Sequence, residues 1–349
     1  MDGGIDLMNR SQRFAISVAV LAAMLGPVGR AAAQAPLVLQ AQGSFFVGGQ
    51  TETLSPTSAI TVSQMYVQYQ IPEGFGRHLP VVMLHGCCLS GKTYETTPDG
   101  RMGWAEYFLR RQRPVYLPDQ SSRARSGFDA TIFNQVRAGT LPPSSQPSIL
   151  QASHQTAWTL FRFGPTFNTT FADEQFPVEA ADELYKQMIP DLNSTLPTPN
   201  PTWVNLGSLA NQLGGAVLMG HSESGFFPEQ AALIDPTGIR GVITIETAFC
   251  VTTLTPDQLA ILAKIPTLVI FGDHLTDVPA FAALWQRSFD TCNQVVQQIN
   301  AAGGDAIMLY LPDLGIRGNS HMMMQDKNNL QLADLILTWI DQHVEGKKH

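Results

Sequence analysis

The spacing of hydrophobic positions changes along this chain. Residues 43–49 (GSFFVGG) and 60–73 (ITVSQMYVQYQIPE) alternate apolar and polar side chains, which is the period of a strand with one solvated face. Six later segments are short and almost continuously apolar: PVVMLHG, RPVYLPD, GAVLMGHS, GVITIET, PTLVIFGD and AIMLYLPD. Such runs are typical of parallel strands buried on both faces. The pattern therefore predicts two antiparallel strands followed by a mostly parallel sheet.

Helical patterns separate these runs. They cover residues 103–112, 178–188, 227–234, 278–303 and 328–344. Strands and helices in alternation predict an α/β fold whose sheet carries helices on both faces.

The alternation is interrupted between about residues 121 and 203, a stretch rich in Pro, Asn, Ser and Phe. So long a segment is unlike a single bare loop, and we interpret it as a cap inserted over the C-terminal edge of the sheet. Its aromatic side chains either line a pocket or form the cap's own small core. They are Trp158, Phe161, Phe163, Phe167, Phe171 and Phe176.

The N-terminal 35 residues have the three-part pattern of a secretory signal peptide. Arg10 and Arg13 precede the apolar run 14–25, and small residues follow up to Ala35. The start is Met1 or Met8. An apolar run of about a dozen residues is shorter than the ~20 that span a bilayer. We therefore expect a secreted or periplasmic protein whose mature form, residues 36–349, has no membrane span.

Composition limits the partners. The chain has 349 residues, of which 44% are hydrophobic and 14% charged, with a formal net charge of −8, so it is long enough to bury one large core. An acidic chain without a basic cluster is a poor binder of nucleic acid. A homodimer is one oligomeric state that the sequence leaves open.

The strongest local motif is LMGHSESG, residues 218–225. An apolar strand runs directly into a tight turn with Ser222 at its centre, and a helix follows. This is the context of the nucleophile elbow G-x-S-x-G, except that Ser224 takes the last small position. The motif predicts that Ser222 is a nucleophile.

A serine hydroxyl needs a base within hydrogen-bond reach and a carboxylate that orients the base. In α/β-hydrolases the base comes last in the chain, and His321 lies in a loop between the last apolar run and the terminal helix. We therefore predict His321 as the base.

The acid is less obvious. Glu246 ends the buried run GVITIET, where a carboxylate is costly to desolvate unless a group such as His321 pairs with it. Asp277 and Asp273 follow the next strand, but each is also explained as a turn or N-cap residue ahead of a helix. We prefer Glu246, with Asp277 and then Asp273 as alternatives.

An acyl-transfer site also needs N–H donors for the oxyanion. One is expected to be the backbone N–H of Glu223, directly after the nucleophile. The other is expected from the loop after the first parallel strand, at Cys87 or Cys88. This chemistry needs no metal or organic cofactor.

The four cysteines, Cys87, Cys88, Cys250 and Cys292, allow three sets of two disulfides. Export favours disulfides. Cys250 follows the strand of Glu246 and Cys292 lies on the helix after the next strand, so these two can be neighbours. A bond between the adjacent Cys87 and Cys88 would be strained, and the spacing alone leaves the pairing open.

With these motifs in place, the chain resembles the secreted bacterial α/β-hydrolase esterases that use a Ser-His-Glu triad. It is more distantly similar to the esterases that de-esterify sulfonylurea herbicides. The resemblance rests on GSFFVGG, QMYVQYQ, LHGCC, TPDGR, GHSESG, Glu246 and GIRGNSH. It implies an α/β-hydrolase fold, the triad Ser222, His321 and Glu246, and a disulfide between Cys87 and Cys88.

The sequence therefore predicts a serine carboxylesterase that acts on a small-molecule ester. The alternatives are a lactonase, a hydrolase of a synthetic or polymeric ester, and a ligand-binding α/β-hydrolase domain without catalysis.

Overall fold

The alternating and apolar segments form a single mixed sheet. The computed structural model describes residues 35–346, so residues 1–34 of the expected signal peptide lie outside the described range. Within that range the sheet has the strand order β1-β2-β4-β3-β5-β6-β7-β8. The strands are β1 Leu39–Ser55, β2 Ser58–Pro72, β3 Val81–Leu84, β4 Val115–Pro118, β5 Ala216–His221, β6 Ile239–Ile245, β7 Thr267–Phe271 and β8 Ala306–Tyr310.

Strand direction follows the two hydrophobic patterns. β1 and β2 form an antiparallel hairpin, and β2 also pairs antiparallel with β4. All the remaining pairs are parallel. The continuously apolar strands β3, β5 and β7 are buried along their whole length, because helices cover both faces of the sheet. The expected α/β-hydrolase architecture is confirmed.

Nine α-helices lie within the described residues. They are α1 Trp104–Arg110, α2 Thr131–Arg137, α3 His154–Leu160, α4 Ala181–Gln187, α5 Pro201–Gln212, α6 Phe227–Ile234, α7 Pro256–Leu262, α8 Ala282–Ala301 and α9 Asn329–Trp339. A π-helical turn, Ile340–Glu345, continues α9. Among these helices none combines the length and apolarity needed to cross a bilayer.

The helix α5 is the main element that the sequence patterns did not predict. It begins at Pro201 behind Asn200, whose side chain accepts a hydrogen bond from the N–H of Thr202 at 2.8 Å. An N-cap asparagine followed by proline is a helix start signal. The signal was missed because the Pro- and Asn-rich stretch ahead of it reads as continuous loop.

The register of the parallel strands sets the position of the site. Leu84 of β3 is paired with Gly220 of β5, and His221 of β5 is paired with Ile245 of β6. The loops that leave β3, β5 and β6 therefore emerge side by side at one edge of the sheet. In open α/β sheets this carboxyl edge is where ligands bind.

The predicted cap segment holds the three short helices α2, α3 and α4 and an isolated antiparallel bridge between Leu150 and Asp191. Several of its aromatic rings stack on one another; the Phe163 and Phe176 centroids, for example, lie 3.9 Å apart. Trp158, Phe161, Phe163 and Phe176 are all buried. Burial favours a packing role for these side chains, although Phe161 also stacks on the His321 ring, with centroids 5.3 Å apart.

Candidate active site

The turn after β5 presents Ser222 at the carboxyl edge of the sheet. Ser222 has a φ of 57°, a left-handed conformation that is uncommon for a residue with a side chain. The turn is tight because the strand and the following helix nearly touch. A Cβ atom on Gly220 would lie 2.0 Å from the Ser224 carbonyl oxygen, and one on Gly225 would lie 2.3 Å from Thr247 Cβ.

Ser224 closes this turn with its hydroxyl. Its Oγ accepts the His221 N–H at 3.1 Å and lies 3.2 Å from the Leu84 carbonyl oxygen, to which it donates. The serine at the last small position of the motif therefore ties the turn to the neighbouring strand β3.

His321 lies beside Ser222. Its Nε2 is 2.8 Å from Ser222 Oγ, and its side chain is fully buried. The His321 N–H donates to the Phe161 carbonyl at 2.9 Å, and His221 Nε2 donates to the His321 carbonyl at 2.9 Å. The ring is packed against Phe161 and Trp285, with centroid separations of 5.3 and 4.6 Å. These contacts fix the imidazole before any ligand binds.

Glu246 lies on the other side of His321. Its Oε2 is 3.2 Å from His321 Nδ1, and it too is fully buried. Its Oε1 accepts the Gly272 N–H at 2.5 Å and Arg162 Nη2 at 2.7 Å. Like Ser222, Glu246 has a positive φ, 49°, so both the nucleophile candidate and the acid candidate occupy strained backbone at strand ends.

The alternative acids are placed elsewhere. Asp277 Oδ2 contacts His274 Nδ1 at 2.8 Å. Asp273 accepts the His274 and Gly318 N–H groups at 2.8 and 3.1 Å. Both carboxylates organise the loop after β7, and Glu246 is the carboxylate in contact with His321.

The electrostatics of the group suit a neutral imidazole beside a charged carboxylate. Burial alone would raise the pKa of Glu246, but Arg162 and the hydrogen bond from His321 outweigh it and lower that pKa to about 2. Burial lowers the pKa of His321, and the contact with Glu246 only partly offsets this effect. At neutral pH His321 is therefore free to accept a proton at Nε2.

Arg162 is the residue of this group that sequence reasoning missed. It comes from the cap, is fully buried, and also donates from Nε to the Asp273 carbonyl at 2.8 Å. Its guanidinium carbon lies 5.0 Å from the centre of a Trp285 ring. Two features of the sequence could have pointed to it. Arg162 is a lone charge between Phe161 and Phe163, and a buried Glu246 needs a cation, which a neutral His321 cannot supply.

The loop after β3 lies directly against Ser222, since a Cβ on Gly86 would be 2.6 Å from Ser222 Cβ. The Cys88 N–H is directed at Asp191 Oδ2, 3.4 Å away. The backbone N–H groups of Cys87 and Glu223 donate to no acceptor in the described part of the chain. Of the three N–H groups predicted as oxyanion donors, those of Cys87 and Glu223 are thus without an acceptor among the described residues, whereas that of Cys88 contacts Asp191.

The cysteines fall into two pairs. Cys250 and Cys292 form a disulfide, which ties the segment after β6 to α8. Cys87 and Cys88 are free cysteines whose Sγ atoms lie 2.6 Å apart. The bond between adjacent cysteines is not formed in this structure, and it stays a prediction.

Comparison with known proteins shows the family to which the chain belongs. The structure of a novel bacterial esterase matches with 48% sequence identity and a TM-score of 0.83, over 89% of this chain and 98% of that one. The chain belongs to the α/β-hydrolase esterase family. No protein-family model matches it.

A second relative agrees with this membership. The fungal protein named "Probable secreted lipase phiG" (Fungal sp., strain ATCC 74256) is 26% identical in an alignment that covers 85% of this chain and 89% of that protein. The match to esterases covers most of the chain, so this protein is a serine ester hydrolase.

The burial of Glu246 predicts the energetic role of Arg162. Removing one partner of a buried ion pair leaves an uncompensated charge and costs about 3–5 kcal/mol. Arg162→Met should lower the free energy of unfolding by that amount in urea at pH 7. The double variant Arg162→Met/Glu246→Gln should recover part of the loss, because the buried charge is gone.

Arg113→Met is the matched control. Arg113 is as buried, but its partners Asp341 and Glu345 are 57% and 19% exposed, against 0% for Glu246, so water can reach the carboxylates left behind. A cost for Arg162→Met no larger than that for Arg113→Met, or no recovery in the double variant, would contradict the assignment.

Proposed function

We propose that this esterase works through an acyl-enzyme on Ser222, with His321 as the base and Glu246 as the orienting acid. The observation that carries the proposal is the 2.8 Å contact between Ser222 Oγ and His321 Nε2, continued at His321 Nδ1 by the buried Glu246. Hydrolysis of carboxylic esters itself follows from the family.

Each group then has a role. Ser222 Oγ attacks the ester carbonyl carbon while His321 Nε2 takes its proton. The backbone N–H groups of Cys87 and Glu223 hold the oxyanion. Collapse of this intermediate breaks the bond to the alcohol, which leaves with the proton from His321. Water, deprotonated by His321, attacks the acyl carbon. When this second intermediate collapses, the acid leaves and His321 returns the proton to Ser222 Oγ.

Two aromatic side chains next to Ser222 favour a substrate with an apolar group. Phe249 is 44% exposed and is packed on Phe226, with centroids 4.4 Å apart. The adjacent Ala248 N–H donates to the Ser222 carbonyl at 3.3 Å, so this aromatic pair lies next to the nucleophile. An exposed aromatic side chain in that position suits an apolar acyl or alcohol group.

Ser222→Ala tests the nucleophile. We expect kcat on a short-chain p-nitrophenyl ester to fall by about 10³-fold or more, because no other group can form the acyl-enzyme. Ser224→Ala is the matched control, since its hydroxyl faces Leu84 rather than His321, and it should lose far less. Unchanged hydrolysis by Ser222→Ala would disprove the proposal.

Glu246→Gln and Asp277→Asn, made separately, test the acid. An amide at position 246 cannot stabilise the imidazolium that forms during attack, so kcat should fall by about 10³–10⁴-fold. Asp277→Asn should leave kcat close to that of the unaltered enzyme, because the carboxylate contacts His274. The opposite ranking would transfer the role to Asp277.

We also propose that the enzyme is exported and that Cys87 and Cys88 are bonded in the oxidised protein. The leader pattern of residues 1–35, the Cys250–Cys292 disulfide and the word "secreted" in the name of the fungal relative support export, since disulfides persist in oxidising compartments.

The intact mass of the protein recovered outside the cytoplasm tests both statements. We expect the mass of residues 36–349 less four hydrogens, two for each disulfide. A loss of only two hydrogens would leave Cys87 and Cys88 as thiols, and a retained leader would contradict export.

A further inference from the structure

A further buried arginine lies on the β4 side of β5, whereas Glu246 lies on the β6 side. Arg123 follows β4 and is 1% exposed. Its Nη1 donates to the Gly86 carbonyl at 3.3 Å, and its Nη2 lies 3.2 Å from Glu223 Oε2. One guanidinium thus contacts both segments that carry the free N–H groups, those of Cys87 and Glu223.

The contact with Gly86 bears directly on the Cys87 N–H. The Gly86 carbonyl and the Cys87 N–H belong to the same planar trans peptide, in which the two bonds point in opposite directions. A donor that holds the carbonyl oxygen on one side therefore fixes the direction of the N–H on the other.

His85 supports the same peptide. The Gln120 N–H donates to His85 Nε2 at 3.1 Å, so the proton of the neutral ring is on Nδ1, which donates to the Gly86 carbonyl at 2.9 Å. Burial, and after it Arg123, lower the pKa of His85 to about 4, so the ring stays neutral at neutral pH. The Gly86 carbonyl therefore has two permanent donors.

The charge of Arg123 is balanced from the cap. Its Nη2 lies 2.5 Å from Asp191 Oδ1, and the Asp191 side chain is only 3% exposed. Asp191 also accepts the Cys88 N–H, and the Ile189 N–H donates to the Cys88 carbonyl at 2.9 Å. The cap segment 189–191 therefore holds the peptide groups on both sides of Cys88.

We propose that Arg123 is a positioning residue of the oxyanion hole: it aims the Cys87 N–H at the oxygen of the ester bound over Ser222, and Asp191 couples this contact to the cap. The inference rests on the proposed function. It gives the cap a part in the chemistry in addition to contact with the substrate.

Arg123→Lys and Arg123→Gln test the proposal. The lysine retains the charge that Asp191 needs but lacks the planar fork that spans Gly86 and Glu223. Loss of one oxyanion donor lowers kcat by about 10²–10³-fold, so a misdirected donor should lower it by about 10–100-fold. We expect KM to change little, because the donor acts mainly in the transition state.

Arg113→Lys and Arg113→Gln are the matched controls. Arg113 is equally buried and contacts two carboxylates, those of Asp341 and Glu345, but it precedes β4 at the amino edge of the sheet. These variants should lose stability in urea and keep kcat.

A tetrahedral inhibitor supplies a readout that a purely structural role would not alter. A trifluoromethyl ketone that adds to Ser222 places its oxyanion in the hole, so its affinity should fall in the Arg123 variants in parallel with kcat/KM. Binding of the product acid should not follow that trend. Asp191→Asn should show the same pattern as Arg123→Lys.

Three results would overturn the inference: unchanged kcat in both Arg123 variants, equal kcat losses in the Arg113 variants, or failure of both Arg123 variants to fold, which would make Arg123 a stability residue.

Ser222→Ala in the same assay separates the two proposals. If it is inactive while the Arg123 variants keep kcat, only the role of Arg123 fails. If it is active, the proposed function fails and this inference fails with it.

Discussion

The buried charge of Glu246 is the constraint on which the site depends. Moving a carboxylate out of water costs several kcal/mol, and Glu246 is fully buried. Its oxygens are satisfied by Gly272, Arg162 and His321. These groups come from the end of β7, from the cap and from the loop before α9, so one charge holds three distant segments in place. The same contacts orient the imidazole toward Ser222.

The predicted cap segment contacts the candidate site at three points. Arg162 neutralises Glu246, the Phe161 carbonyl holds the backbone of His321, and Asp191 holds the backbone of Cys88. One segment thus contacts both His321 and the loop of Cys87 and Cys88. The proposed mechanism therefore predicts that substitutions in this segment alter kcat.

Ser222 lies between two buried arginine–carboxylate groups. Arg162 and Glu246 are on the side of His321, whereas Arg123, Asp191 and Glu223 are on the side of the loop with Cys87 and Cys88. In both cases the planar guanidinium bonds a carboxylate and a backbone carbonyl together, which a compact ammonium does less well. Both arginines thus connect a charged group with the backbone direction of a loop.

The sequence by itself determined the hairpin, the parallel sheet and the turn at Ser222, and it favoured Glu246 as the carboxylate beside His321. Each of these depends on a local pattern: a period of two, a continuous apolar run, small residues around a serine, or a carboxylate at the end of a buried strand. Only the tertiary structure decided the partners of the arginines and the direction of the Cys88 N–H. Arg162 and Glu246 are 84 residues apart, and Arg123 and Glu223 are 100 apart. No local period encodes such pairs, because they form only when the cap folds onto the sheet and excludes the water that would otherwise solvate their charges.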